Sequence, residues 1–324
     1  MTGPVQPETV LVTGCAGFIG SHLTDRLLQH GHCVVGLDNL SRGTRANLEQ
    51  ALKSPHFTFL ETDLSDHLSW RNLLAGHNIK TVWHMAANSD IEGGVADSNI
   101  DLRDTFMTTF NLLTVMREAG IRRLAFASTS AIYGMLDAVL SEESGPLFPI
   151  SNYGAMKLAS EAIVSAAVES FVERAWIFRF PNVVGSRATH GIIFDLLKKL
   201  ARNPAQLDVL GDGRQRKPYL HVAELIEAML FVRNRAADCL NYFLVGPEDE
   251  GIEVNQIAQA VLRAARSPLP IHYTGGSAGW VGDVPRFRYS IAKLSRLGWR
   301  PALSSRQAIE RAVTEIHAEL RVQV

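Results

Sequence analysis

The chain has 324 residues, 46% of them hydrophobic, which is enough to bury a sizeable core as one large α/β unit or as two lobes. Its formal net charge of −1 and isoelectric point near 6.8 give it no basic field for nucleic acid or an anionic membrane surface, so a small-molecule site is the better expectation. No apolar run reaches the roughly 18 residues of a membrane span, and the N-terminal Met-Thr-Gly-Pro-Val-Gln-Pro-Glu lacks the basic-then-apolar pattern of a secretory signal. Cys15, Cys33 and Cys239 are odd in number and without C-x-x-C spacing, which implies reduced thiols in a cytoplasmic protein.

Through the first half, short β-branched or aromatic runs alternate with longer helical patterns, as in a doubly wound parallel sheet. A first strand over 10–13 is followed by Thr13-Gly14-Cys15-Ala16-Gly17-Phe18-Ile19-Gly20 and a helix over 19–30 that stops at Gly31. Further strands are expected over 33–38, 57–61, 81–84, 123–127 and 176–180, with long amphipathic helices over 102–119 and 155–172. In the helix over 102–119, Leu102, Phe106, Thr109, Leu113 and Met116 recur at helical spacing and read chiefly as core, or as half of a dimer four-helix interface. Such crossovers leave the strand C-termini open as a crevice for ligand.

After Pro181 the elements shorten, with turns at Gly185, Gly211-Asp212-Gly213 and Gly275-Gly276. A helix over 222–234 and a strand over 242–245 read as a return to the main sheet. The expected organisation is therefore a dinucleotide-binding domain over 1–185 with a return segment over 222–246. A smaller substrate-binding lobe covers 186–221 and 247–324.

The three glycines of the first loop suit a tight turn, close approach of backbone to a pyrophosphate, and tight packing of helix on strand. Their place between a strand and a helix separates this loop from a chance glycine pattern. Asp38 ends the second strand, 18 residues beyond Gly20, where a carboxylate can accept from an adenosine ribose and repel a 2′-phosphate. That favours NAD, while Arg42 and Arg45 keep NADP open, and Asp38 can also cap its own turn. Asp63-Leu64 falls near an adenine on this topology, although Asp63 can equally cap a helix over 68–74.

Downstream, Tyr153 and Lys157 stand four apart in Ser-Asn-Tyr-Gly-Ala-Met-Lys. This spacing places phenol and ammonium on one helix face, where the cation can lower the pKa of the phenol toward acid–base work near neutral pH. His22, His30 and His32 are too scattered for a metal site. His84 reads as packing beneath a dinucleotide, and His190 as a solvated loop residue.

Together, Thr13–Gly20, Asp38-Asn39, Asp63-Leu64, His84-Met85-Ala86-Ala87, Ser128-Thr129-Ser130-Ala131-Ile132-Tyr133-Gly134, Tyr153–Lys157, Arg179-Phe180-Pro181-Asn182-Val183-Val184-Gly185 and Gly211-Asp212-Gly213 resemble, in order, the extended short-chain dehydrogenase/reductase family, specifically its nucleotide-sugar epimerases and dehydratases. The resemblance implies a Rossmann-type sheet, NAD as cofactor, a nucleotide-diphosphate sugar as substrate and a homodimer with a four-helix contact. Carried onto this chain, the catalytic residues are Thr129, Tyr153 and Lys157. The cofactor would be held by Gly14, Gly17, Phe18, Ile19, Gly20, Asp38, Asn39, Ser41, Asp63, Leu64, Ala86, Ala87, Tyr153, Lys157 and Phe180. The substrate would meet Asn88, Thr129, Tyr153, Asn182, Leu210 and Lys217.

Members that dehydrate their sugar usually carry a glutamate two positions after the threonine, whereas this chain has Ser130-Ala131. It therefore looks most like the 4-epimerases of the family, working through a transient 4-keto sugar. Another nucleotide-sugar enzyme (2-epimerase, 4-reductase or dehydratase) and a catalytically silent NAD(P)-binding protein are the alternatives. The substrate side departs from the family pattern at several positions. Lys217 stands for a usual arginine, Thr105 for a frequent asparagine and Met156 for a common serine. A second phosphate-binding arginine expected near Gly282-Asp283 is replaced by Trp280 or shifted to Arg286 or Arg288. The loop Asn88-Ser89-Asp90-Ile91-Glu92-Gly93-Gly94 is unusually rich in acid and glycine.

Overall fold

The computed structural model describes residues 6–136, 138–203, 205–276 and 287–322. The chain divides into two units: Met1–Gly134, Pro146–Arg179 and Ile226–Phe243 form the first, and Met135–Gly145, Phe180–Leu225 and Leu244–Val324 the second. Met135–Gly145, left in the first half by the sequence pattern, thus belongs to the second unit.

The first unit is built on seven strands. They are β1 (Thr9–Thr13), β2 (Cys33–Asp38), β3 (Phe57–Glu61), β4 (Thr81–His84), β5 (Arg123–Ala127), β6 (Arg174–Arg179) and β7 (Leu240–Leu244), in the order β7-β6-β5-β4-β1-β2-β3. Pairing is parallel from β3 through to β6, with Val12 opposite both Gly36 and Trp83. Central strands are covered on both faces, and all four residues of β4 are buried, as expected where helices flank a parallel sheet. The chain runs outward from β1 to β3 and then returns to β4 on the other side of β1. This reversal opens a crevice at the strand C-termini around β1, where ligands bind in such sheets.

Helix α1 (Phe18–Gln29) turns Leu23 and Leu27 into the core. The helix expected over 102–119 is more complex: Ser98–Asp101 is α-helical, Leu102–Met107 is π-helical, and α2 (Thr108–Glu118) continues it. A π turn takes in one extra residue and so rotates the helix on its N-terminal side by about 100° relative to the helix on its C-terminal side. Thr109, Leu113 and Met116 stay in the core, but Leu102 is 45% exposed, against its reading as core. Helix α3 (Asn152–Val168) starts three residues earlier than expected because Ser151 Oγ caps it, accepting from Gly154 N at 3.1 Å. Tyr153 therefore lies in its first turn.

The second unit packs helices Ile192–Arg202, Val254–Ala264 and Ser305–Val322 around Leu207, Val209, Ile257, Val261, Ile309 and Val313. Short strand pairs carry its loops: Asn182–Val184 runs parallel to Tyr219–His221, and Arg216–Lys217 antiparallel to Ile252–Glu253. Among the described residues no helix is long and apolar enough to cross a membrane.

Candidate active site

The loop after β1 is held by the next strand, since Gly14 N and Cys15 N both donate to Leu37 O, at 2.7 and 3.3 Å. Gly14 has φ +69°, and a Cβ there would lie 2.8 Å from Ala86 N, so conformation and space both require glycine. At Gly20 a Cβ would stand 1.9 Å from Gly14 O, which fixes how closely α1 approaches the strand end. No side chain caps α1 at Gly17, which leaves the first N–H groups of that helix without a side-chain partner beside a glycine backbone. This is an anion cradle of the kind that receives a dinucleotide pyrophosphate.

Asp38 closes the loop from beneath. Its Oδ2 accepts from Ala16 N at 2.9 Å and its Oδ1 from Leu40 N at 2.8 Å, so it caps its own turn and ties it to the glycine-rich loop. Burial raises its carboxyl above the ordinary range, and the N–H groups of Leu40, Ala16 and Gly17 pull it back. Asn39 accepts from Ser41 N and Ser41 Oγ and reaches Asp63 Oδ2 at 3.3 Å, which groups three of the expected adenosine-side residues. Asp63 does not cap the following helix: Asp66 does, accepting from Leu68 N. The Leu64 side chain is core, and its carbonyl accepts from Asn111 Nδ2 at 3.1 Å.

On the other side of β1, Thr129 ends the segment after β5. Its Oγ1 accepts from Ala131 N at 3.1 Å, and its side chain faces the Tyr153 hydroxyl closely enough to lower the phenol pKa. The approach of α3 to this strand end depends on Gly154, where a Cβ would lie 2.7 Å from Ala131 O. One turn further along, Lys157 is 2% exposed and donates from Nζ to Ala127 O at 2.7 Å. The ammonium lies 4.8 Å from the Phe126 ring centroid and 5.9 Å from that of Tyr153. Burial lowers the Lys157 pKa to about 7, with Glu161 pulling it back up. The expected lowering of the Tyr153 pKa does not occur in this arrangement. Burial pushes it up to about 12, Asp101 adds to the rise, and Thr129 partly offsets it.

Beneath the trio runs a buried polar network. Glu161, on α3 one turn past Lys157, accepts from Ser128 Oγ at 2.5 Å and from Arg179 Nη2 at 2.6 Å, and Arg179 Nη1 donates to Tyr133 Oη at 3.0 Å. A buried carboxylate and guanidinium satisfied in this way fix the positions of the elements that carry them, here β5, α3 and β6. Below the glycine-rich loop, Thr109 Oγ1 donates to Thr105 O, so His84 Nε2 donates to Thr109 Oγ1 at 3.0 Å and Nδ1 accepts from Thr13 Oγ1 at 2.7 Å. Burial, helped by the Lys157 charge, lowers the His84 pKa to about 3, so the ring is neutral.

Asn88 is expected to meet substrate, yet its amide is committed to its own loop. Nδ2 donates to Asp90 O at 2.9 Å and Asp101 Oδ1 at 2.8 Å, while Oδ1 accepts from Asp90 N at 3.0 Å. Both amide protons of Asn88 are thus committed to the loop, and only acceptor capacity on Oδ1 is left over. In the second unit, Asn182 is exposed and opposite Tyr219, Leu210 is 43% exposed, and Lys217 is buried. Phe180 is partly buried just past β6. Arg288 is exposed and paired with Glu250 at 3.1 Å, whereas Trp280, Gly282, Asp283 and Arg286 lie outside the described residues.

Residues 10–246 match the model of the NAD dependent epimerase/dehydratase family. The chain belongs to that family. It is 30% identical over 311 residues to a UDP-glucose 4-epimerase of Mycolicibacterium smegmatis, covering 94% of this chain and 96% of that one. Among solved structures it is similar to a UDP-galactose 4-epimerase, at 35% identity and TM-score 0.85, over 96% of this chain and 99% of that one. It is also similar to the dTDP-glucose 4,6-dehydratase of Streptomyces venezuelae solved with NAD, at 26% identity and TM-score 0.86, over 97% and 98% of the two chains.

NAD is the cofactor of the epimerase/dehydratase family, and the uncapped start of α1, the bare glycine backbone and the Asp38, Asn39 and Asp63 group fit a dinucleotide. Several residues of this family member escaped the sequence pattern. Glu161 was discoverable as the next residue at i+4 from Lys157 on the same helix face. Asp101, buried with Oδ2 against Gly94, gave no local signal, because its partner Asn88 lies across a loop.

Proposed function

We propose that the protein is an NAD-dependent nucleotide-sugar 4-epimerase acting through a transient 4-keto sugar. The observation that carries this reading is the buried Tyr153 phenol facing Thr129, with Lys157 one helical turn away, beside a glycine-rich dinucleotide loop. Bound NAD supplies a hydride acceptor when oxidised and a donor when reduced, and its oxidised ring carries a positive charge. Tyr153, ionised to the phenolate beside the Lys157 ammonium and the positive charge of the oxidised ring, would take the proton of the sugar C4 hydroxyl as C4 is oxidised, and would return it after the flat keto sugar has turned its other face. Thr129 hydrogen-bonds the reacting oxygen, so charge developing there meets a fixed partner. Lys157 holds the nicotinamide ribose and stabilises the phenolate when protonated.

Asn182, Leu210 and Lys217 are assigned to the nucleotide diphosphate, and Phe180, Ala86 and Ala87 to the cofactor. The choice of epimerisation over dehydration is supported by Ser130 and Ala131, which put no acid or base after Thr129. We assign Leu102, Phe106 and Phe110 to a homodimer contact: Leu102 and Phe110 are 45% and 49% exposed, and the two phenyl rings lie 6.5 Å apart on one face of the helix. Unpaired thiols at Cys15, Cys33 and Cys239 support a cytoplasmic protein.

Steady-state kinetics of Tyr153→Phe test the assignment. Turnover should fall by about 10²-fold or more, as for a lost general acid or base, with nucleotide-sugar binding nearly intact. Near-normal turnover would remove Tyr153 from the chemistry.

A further inference from the structure

Two arginines come after the end of β2, and a guanidinium near this strand end is what accommodates a 2′-phosphate on the adenosine ribose. Both are engaged by carboxylates. Arg42 Nη2 lies 2.5 Å from Asp90 Oδ2, and Arg45 Nη1 lies 3.6 Å from Glu61 Oε2 with its guanidinium 5.3 Å from the Phe59 ring centroid. Asp90 comes from the loop after β4, on the opposite side of β1 from β2. The first ion pair therefore joins the two loops that flank the glycine-rich loop.

Both ends of this bridge are anchored. Asp90 Oδ1 accepts from Gly93 N at 2.9 Å, and the Asn88 amide holds the Asp90 backbone on both its N–H and its carbonyl. On the other side, Thr44 N and Asn47 Nδ2 donate to Ala16 O at 3.1 and 2.9 Å, and a Cβ on Gly43 would come within 2.6 Å of the Ala16 carbonyl carbon. With the two loops fixed, the Arg42 side chain is the movable part, and Asp90 draws it toward β4, away from the adenosine side.

We propose that Asp90 is a specificity-determining residue: by holding Arg42 across the strand ends it withholds the cation a 2′-phosphate requires, so that NAD is preferred over NADP. The inference rests on reading the site as a dinucleotide site. It assigns to Asp90 part of a choice that Asp38 would otherwise make alone. Asp38 itself is a poor test, because its carboxylate also ties down the glycine-rich loop.

Asp90→Asn removes the charge and keeps the acceptor for Gly93 N. Calorimetric titration of this variant should show NADP binding about fivefold tighter, the size of one exposed ion pair, with NAD affinity within about twofold of the wild type. In Asp90→Asn/Arg42→Ala the gain should vanish, and Arg42→Ala alone should bind NADP as the wild type does. Unchanged NADP affinity in Asp90→Asn, or a gain that survives Arg42→Ala, would overturn the proposal. So would a marked loss of NADP binding in Arg42→Ala alone, since Arg42 would then already reach the phosphate. If the wild type bound neither dinucleotide, it is the reading of the site that would fall.

Discussion

Lys157 is held where a lysine is costly. Its pKa falls from 10.5 to about 7, so between those values the unfolded chain binds more protons than the folded one and stability rises with pH. The penalty is fully present below about pH 7 and fades as pH approaches 10.5. Lys157→Met should therefore make the chain more stable at neutral pH by at most about 5 kcal/mol, while removing activity. Thermal melts of the two proteins without added cofactor check this, and the gap should narrow as pH is raised. A gap independent of pH, or a less stable variant below pH 7, would contradict it. The i, i+4 spacing made Tyr153 and Lys157 legible as a pair, but not the state of the phenol. That state depends on burial and on Asp101, and neither leaves a mark in the local sequence.

Individual elements owe their positions to a few contacts in which a single atom decides the fit. Gly154 lets α3 meet the strand end that carries Thr129, and a Cβ there would sit 2.7 Å from a backbone carbonyl that cannot move aside. Gly154→Ala should thus keep the chain folded but part Tyr153 from Thr129, lowering kcat by about 10-fold or more, since small misplacements of reacting groups have effects of this order. Wild-type kcat in that variant, measured beside an unchanged melting profile, would show that the approach is not needed. The strands of the first unit were legible because buried parallel strands read as compact apolar runs between turn signals. The π turn at Leu102–Met107 was not, because its extra residue arises from tertiary packing and leaves the apolar spacing of the sequence unchanged.

At the scale of the whole molecule, the proposed reading assigns dinucleotide binding and proton transfer to the first unit and nucleotide-diphosphate recognition to residues of the second. The cofactor side was the more legible of the two, because glycine backbones and a strand-end carboxylate meet a fixed chemical group and so recur in a fixed pattern. The substrate side is assigned to side chains such as Asn182 and Lys217, and side chains that meet a variable ligand vary in type with it. The central claim is that hydride leaves C4 of the sugar and returns to it with no acid–base work on the neighbouring carbons. It is tested most directly by turning over a UDP-hexose in deuterated water and reading the product by NMR and mass spectrometry. The predicted product is an epimer that keeps its original hydrogen at C4, with no net NADH formed. Deuterium at C3 or C5, or a product lighter by one water, would contradict it.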